Sequence, residues 1–240
     1  MYAPLLIILI ALMPVVILLF YIYKKDKLCP EPPLQLVKAF LYGVLSCFAS
    51  FCLSIPFGMI GLYSDDVTTV FDAIRSAFFG AAIPEECAKL LMLWLVLRKN
   101  PYFDEKMDGI VYAVCVSLGF AGLENVLYLF THYETFMQVG LSRALFSIPG
   151  HFCFGVLMGY YYSLAKFYPK TSQKNKMLVL VAPVIAHGVY NSILFIVDIS
   201  SALSGVLMIV FLIFCHKMWK YSSQRIKEHL ERDMDKNHMC

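Results

Sequence analysis

Seven long apolar stretches dominate this sequence, and they constrain its fold more than any other feature. A helix needs about 20 mostly apolar residues to cross a bilayer. Only 15% of the 240 residues are charged and 60% are hydrophobic, whereas soluble domains carry roughly 25% charged residues. The sequence therefore predicts an all-α, polytopic membrane protein with about seven transmembrane helices. The predicted spans are 2–23, 36–60, 75–98, 109–131, 141–164, 177–197 and 203–219.

The positions of the lysines and arginines predict how these spans are oriented. Of the 20 basic residues, all but three follow spans one, three, five or seven. Arg75 and Arg143 lie on the opposite side, and Lys89 lies within a span. Because basic residues collect on the cytoplasmic side, the N-terminus is expected outside and the C-terminus inside.

The domain organisation follows from the same pattern. Residues 1–220 are predicted to form a single integral membrane domain, followed by a cytoplasmic tail at 221–240. The tail has apolar residues near helical spacing, which is typical either of an interfacial amphipathic helix or of a solvated helix. Four further histidines are expected to lie in loops or the tail and to be solvated. They are His132, His216, His229 and His238.

Several polar side chains interrupt four of the apolar spans. A charged group at the centre of a span costs about 2.5–3.5 kcal/mol on insertion scales, so such residues usually mark a site. Spans one, two and seven have no such group in their interiors. The interrupting residues are Glu85, Glu86 and Lys89 in span three, Glu124 in span four, His151 in span five, and His187 and Asn191 in span six.

The depths of these residues agree although two spans run inward and two run outward. Counted at about 1.5 Å per residue from the outer ends, Glu85, His151 and His187 lie about 14–15 Å deep. Glu124 and Asn191 lie about 9 Å deep by the same count. The five side chains thus fall in one layer in the outer half of the membrane. This placement predicts a single site that is open toward the outside.

Each of these residues also has a purely structural interpretation. Glu85 and Glu86 could form an ion cluster with Lys89, which lies four and three residues further along the same helix. Glu124 and His151 could be hydrogen-bonded interior groups, and His187 with Asn191 could join two helices. The shared depth favours a functional site over four separate structural roles. In a low dielectric the three glutamates cannot all be charged, so Lys89 is expected to neutralise Glu86 and the other two to share a proton.

The residue types indicate hydrolysis. No serine, threonine or cysteine is paired with a base in a recognisable motif, and no HExxH sequence of zinc proteases occurs. A carboxylate acting on water remains, and this favoured interpretation requires no cofactor. Zinc is the alternative, because two histidines and a carboxylate suit it. Its ligands would be Glu85, Glu124, His151 and His187.

The motif series resembles the PrsW family of intramembrane proteases, which is related to the CAAX prenyl endoproteases. The matching motifs are Glu85-Glu86-x-x-Lys89, Phe120-x-x-x-Glu124, His151 and His187-x-x-x-Asn191, on helices at about 75–197. In the CAAX relatives the second motif ends in histidine and the first in arginine one residue later. Glu124 and Lys89 therefore resemble the PrsW branch.

The resemblance implies a bacterial plasma-membrane protease in regulated proteolysis of a stress response. Its substrate would be a single-pass membrane protein, typically an anti-sigma factor, cut on the extracytoplasmic side. Glu85 would activate water, with Glu86 and Glu124 beside it. His187 and Asn191 would stabilise the oxyanion, His151 would position the water or the leaving nitrogen, and Lys89 would tune the charge.

Two functions from other classes share many of these features. A proton-coupled transporter also keeps acids and histidines within its spans. A non-catalytic scaffold or sensor built on the protease fold would retain the same polar residues. For all three functions the bilayer is a partner, and no nucleic acid is expected to bind.

Overall fold

The computed structural model describes residues 3–26, 29–64 and 66–234, and the regular structure in these ranges is entirely helical. The start of the first predicted span, the end of the predicted tail and His238 lie outside the described residues. The helices are α1 (Ala3–Lys25), α2 (Pro33–Met59), α3 (Val70–Arg75), α4 (Ile83–Leu97), α5 (Lys106–Thr131), α6 (Phe136–Ser142), α7 (Ile148–Phe167), α8 (Ser172–Ile199) and α9 (Ser201–Met234).

Six helical stretches of the described chain are long and apolar enough to cross a membrane. The all-helical, polytopic membrane fold is therefore confirmed. A further stretch at 70–97 is one continuous helical run, but Glu85, Glu86 and Lys89 interrupt its apolar part. The six stretches are Pro4–Lys25, Pro33–Met59, Lys106–Thr131, Tyr133–Phe167, Pro169–Ile199 and Ser201–Met234.

Helix α5 is the centre of the bundle, and α1, α2, α7 and α9 pack around it. Glycines allow the closest of these contacts. A Cβ atom at Gly43 of α2 would lie 2.0 Å from the Val116 carbonyl oxygen of α5. A Cβ atom at Gly159 of α7 would lie 2.2 Å from the Gly109 carbonyl oxygen. Small residues at these crossings let helix backbones approach closely, as is common in membrane bundles.

Helix α9 continues well past the end of the predicted seventh span and packs against the bundle. The Asp233 carboxylate accepts hydrogen bonds from Lys106 Nζ at 2.6 Å and from the backbone N–H of Met107 at 2.9 Å. It thereby satisfies backbone N–H groups at the start of α5. His229 was expected to be solvated, but it is fully buried and stacks on the Tyr160 ring with 4.5 Å between centroids.

Candidate active site

The seven polar residues within the predicted spans meet in one cluster. Four helices supply them. Five of these residues line a cavity of about 570 Å³, whereas Glu86 and Lys89 do not line it. The contributions are Glu85, Glu86 and Lys89 from α4, Glu124 from α5, His151 from α7, and His187 and Asn191 from α8.

Two π-helical segments lead directly into the helices that carry Glu85, Glu86 and His151. One segment, Ser76–Ala82, runs directly into α4, where Pro84 precedes Glu85. The other, Arg143–Ser147, runs directly into α7, where Pro149 lies two residues before His151. A proline lacks the N–H of a regular helical bond, and π segments within helices occur frequently at functional sites.

Lys89 is the central cation of the cluster. Its side chain is 1% exposed, and Nζ lies 2.7 Å from Glu86 Oε1 and 3.6 Å from Glu85 Oε2. It also lies 3.1 Å from His151 Nδ1 and 4.2 Å from the centroid of the Phe120 ring. The lysine therefore contacts both acids of its own helix, and its shortest ion pair is with Glu86 as the sequence indicated.

A hydrogen-bonded chain joins Glu86, His187 and Asn191. Glu86 Oε1 lies 2.9 Å from His187 Nδ1, and Asn191 Nδ2 lies 3.2 Å from His187 Nε2. With the proton on Nδ1, the ring donates to Glu86 and Nε2 accepts from the Asn191 amide. The ring of Phe154 stacks on His187 with 4.7 Å between centroids, which fixes the plane of the imidazole.

Glu124 pairs with a cation that the sequence analysis did not assign to the site. Arg143 was counted only among the basic residues of the outer side, but its Nη2 lies 2.5 Å from Glu124 Oε2. Its Nε donates to Asn125 Oδ1 at 2.7 Å. On the other side, His151 Nε2 lies 3.3 Å from Glu124 Oε2. Because the Lys89 ammonium can only donate, His151 Nδ1 accepts from it and the ring proton faces Glu124.

Glu85 differs from the other two carboxylates. Glu86 and Glu124 each have a cation within 2.7 Å. The nearest cation to Glu85 is Lys89 at 3.6 Å, and His187 Nε2 lies 3.9 Å away. Glu85 Oε2 has no hydrogen-bond partner among the described residues. Its side chain is 14% exposed and lines both the 570 Å³ cavity and a second cavity of about 280 Å³.

The donor atoms of this cluster fit a divalent cation. Donors of Glu85, Glu124 and His151 lie within 4.8 Å of one another, and the same holds for Glu85, Glu86 and His187. Glu85 is common to both groups, and its buried Oε2 has no hydrogen-bond partner among the described residues. A carboxylate on Nδ1 is the usual support for a metal-bound histidine, and Glu86 holds this position on His187. His187 Nε2 could bind a cation only after the Asn191 amide released it. His151 Nε2 could bind a cation only after Lys89 released Nδ1.

Carboxylates, histidines and an amide around a cavity within apolar helices are the components of a membrane-embedded hydrolase. Residues 31–217 match the model of a family described as PrsW family intramembrane metalloprotease. The chain belongs to this family and is a membrane-embedded peptidase.

Relatives cover nearly the whole chain. Protease PrsW of Clostridioides difficile strain 630 is 34% identical over 92% of this chain and 90% of its own length. Protease PrsW of Bacillus subtilis strain 168 is 33% identical over 90% and 91%, and that of Oceanobacillus iheyensis is 36% identical over 75% and 79%. No solved structure matches the chain.

Proposed function

We propose that Glu85 is the general base that activates water for peptide-bond hydrolysis. The observation that carries this assignment is the contrast among the three carboxylates. Glu86 and Glu124 are held by short ion pairs. Glu86 Oε2 also lacks a hydrogen-bond partner, but Glu86 lines neither cavity, and Glu124 lines both cavities but is ion-paired. Glu85 combines an oxygen without a hydrogen-bond partner with a position on both cavities. A general base must reach the proton that it removes, and of the three this carboxylate has a free oxygen and access to water.

The surrounding residues have supporting roles in this proposal. Glu86 holds the His187 ring by its Nδ1 proton, and His187 in turn accepts from Asn191. The second N–H of the Asn191 amide then remains to donate to the oxyanion at the scissile carbonyl. His187 acts as a positioning residue when it is neutral. His151, whose ring proton faces Glu124, positions the water or the leaving nitrogen. The proton that Glu85 takes from water is then passed to the leaving nitrogen.

A divalent cation would be held by Glu85 with Glu124 and His151, or by Glu85 with His187. It would supply Lewis-acid polarisation of the scissile carbonyl. The family description names a metalloprotease, and the donor set supports that chemistry. Glu85 is the general base in the metal-free mechanism and a ligand in the metal-dependent mechanism. Metal analysis of the purified protein and chelation distinguish these two mechanisms.

For the topology, we propose seven membrane crossings, with the stretch at 70–97 as the third and the N-terminus outside. In a cell-based test, a cysteine at Glu134 should react with an impermeant maleimide added outside. A cysteine at Lys220 should react only after permeabilisation. Both positions are exposed on the protein. Labelling of position 220 from outside would contradict the orientation.

The proposed substrate is a single-pass membrane protein of the anti-sigma-factor type, cut on the extracytoplasmic side. The outer-half depth of the polar cluster and the family resemblance both support this side. The test uses the purified protein in detergent with a panel of single-pass proteins, including anti-sigma factors. Cleavage is read by mass spectrometry of the fragments, with and without chelator.

The matched control in that assay is Glu85→Gln, which keeps the size of the side chain. We expect cleavage of at least one anti-sigma factor by the wild-type protein and none by the variant. Equal cleavage by both proteins would remove Glu85 from the mechanism. Loss of activity with chelator and recovery with zinc would assign the metal-dependent alternative.

A further inference from the structure

A separate crevice of about 780 Å³ lies between α4 and α8, apart from the candidate active site and its two cavities. No proposed catalytic residue lines it. Its walls are mainly apolar and come from Leu90, Leu91 and Trp94 of α4 and from Val179 and Leu180 of α8. Trp94 and Leu91 are 46% and 47% exposed, so the crevice opens at the side of the bundle.

Four basic residues surround one end of this crevice, and no acidic residue lines it. They are Arg98, Lys99, Lys166 and Lys176. Among the described residues, none of the four lies within 4.0 Å of a carboxylate. Arg98 lies over the Trp94 ring at 4.9 Å, and Lys166 lies over the Phe103 ring at 3.7 Å. Lys166 also donates a hydrogen bond to the Phe103 carbonyl oxygen. The crevice therefore combines apolar walls with a positively charged rim.

The length of the crevice matches one leaflet of a bilayer. From Cys87 at the deep end of the crevice to Arg98 at its rim, α4 rises about 16 Å at 1.5 Å per residue. Half of a hydrocarbon core of about 30 Å is about 15 Å. The rim thus lies at the depth of lipid headgroups when the walls lie at the depth of acyl chains.

We propose that this crevice binds an anionic phospholipid. The acyl chains pack along α4 and α8, and the phosphate meets the four basic side chains. In the topology proposed above this is a lipid of the inner leaflet, where basic pockets between helices bind anionic headgroups. A free inorganic anion would not use the apolar walls, and a substrate helix would not use four cations. The lipid contacts the two helices that carry Glu85 and His187.

Native mass spectrometry of the purified protein tests this proposal directly. The protein is released from mixed micelles that contain phosphatidylglycerol and phosphatidylcholine with identical acyl chains. We expect retention of phosphatidylglycerol over phosphatidylcholine. Each basic residue near an anionic surface contributes about fivefold in binding. The double variant Lys99→Gln/Lys176→Gln should therefore bind phosphatidylglycerol about 25-fold more weakly.

The matched control is Lys217→Gln/Lys220→Gln. It removes the same charge from exposed positions on α9, outside the crevice. This control should bind like the wild type. A third variant, Leu180→Trp, keeps every charge but fills the crevice, and it should also lose the lipid. All variants are first compared by thermal unfolding, so that only folded protein is scored.

Three results would overturn the proposal. The first is equal retention of the two lipids by the wild type, which would point to a hydrophobic surface without headgroup recognition. The second is unchanged retention by Lys99→Gln/Lys176→Gln or by Leu180→Trp. The third is displacement of bound phosphatidylglycerol by millimolar inorganic phosphate, which would assign the rim to a free anion. Because the readout is binding, none of these results depends on proteolytic activity.

Discussion

Replacing Lys89 by methionine should destabilise the protein strongly, and its contacts give the magnitude. The ammonium is 1% exposed and lies 2.7 Å from Glu86, 3.1 Å from His151 and 3.6 Å from Glu85. Removing one partner of a buried ion pair typically costs about 3–5 kcal/mol, because the other charge stays buried without compensation. For a chain of this length that loss lowers the unfolding temperature by on the order of 10 °C.

A second substitution at Glu86 separates the charge effect from the loss of the side chain. In Glu86→Gln/Lys89→Met, both charges of the short pair are removed together. We expect the double variant to be more stable than the sum of the two single variants predicts, by about 1–3 kcal/mol. The assay is thermal or denaturant unfolding in detergent for the wild type, both single variants and the double variant.

The control is Lys227→Met, because Lys227 pairs with Glu231 at 3.5 Å while their side chains are 76% and 53% exposed. An exposed pair contributes about 0–1 kcal/mol, so this variant should unfold close to the wild type. The reasoning is refuted if Lys89→Met also unfolds close to the wild type. It is refuted as well if the effects of Glu86→Gln and Lys89→Met are additive.

Three further predictions use the same preparations. Glu85→Gln should abolish cleavage while its unfolding temperature stays near that of the wild type; cleavage at the wild-type rate would contradict the proposed base. Gly159→Ala should destabilise by about 1–3 kcal/mol, because its Cβ would lie 2.2 Å from a backbone oxygen of α5. A Cβ atom at Gly205 would have no other atom within 4 Å, so Gly205→Ala should leave the free energy of unfolding unchanged or raise it. Equal destabilisation by Gly159→Ala and Gly205→Ala would refute the close-packing argument. Asp233→Ala should cost about 3–5 kcal/mol because it leaves a buried lysine unpaired, whereas Glu231→Ala should cost less than about 1 kcal/mol.

Hydropathy predicted the helices well where the membrane alone decides their length. The predicted span 109–131 corresponds to α5, Lys106–Thr131, and the span 177–197 corresponds to α8, Ser172–Ile199. A helical tail was expected, but the packing of the end of α9 against the bundle could not be predicted in this way. Beyond the apolar stretch the helix is held by the contact of Asp233 with Lys106. A contact between residues so far apart in sequence leaves no periodic signal near either of them.

The candidate site could be predicted because a charged residue inside a membrane span is costly and therefore usually marks a functional site. Arg143 was missed because it lies near the outer end of its span, where an arginine is ordinary. In the structure it lies in the π segment Arg143–Ser147 and reaches Glu124. A signal was present, since Arg143 precedes His151 by eight residues, or about two helical turns. Glu124 likewise lies near the outer end of its own span.

Arg143 changes the charge balance of the site and therefore the chemistry expected of it. With Lys89 alone, two carboxylates would compete for a shared proton. With Arg143 on Glu124 and Lys89 on Glu86, each of those acids has its own cation. The remaining negative charge falls on Glu85, which lines the cavity and has an oxygen without a hydrogen-bond partner among the described residues. A proton taken from water and a divalent cation would both compensate that one charge. They therefore compete for the same oxygen, and a metal titration of the wild type against Glu85→Gln measures which of them the site prefers.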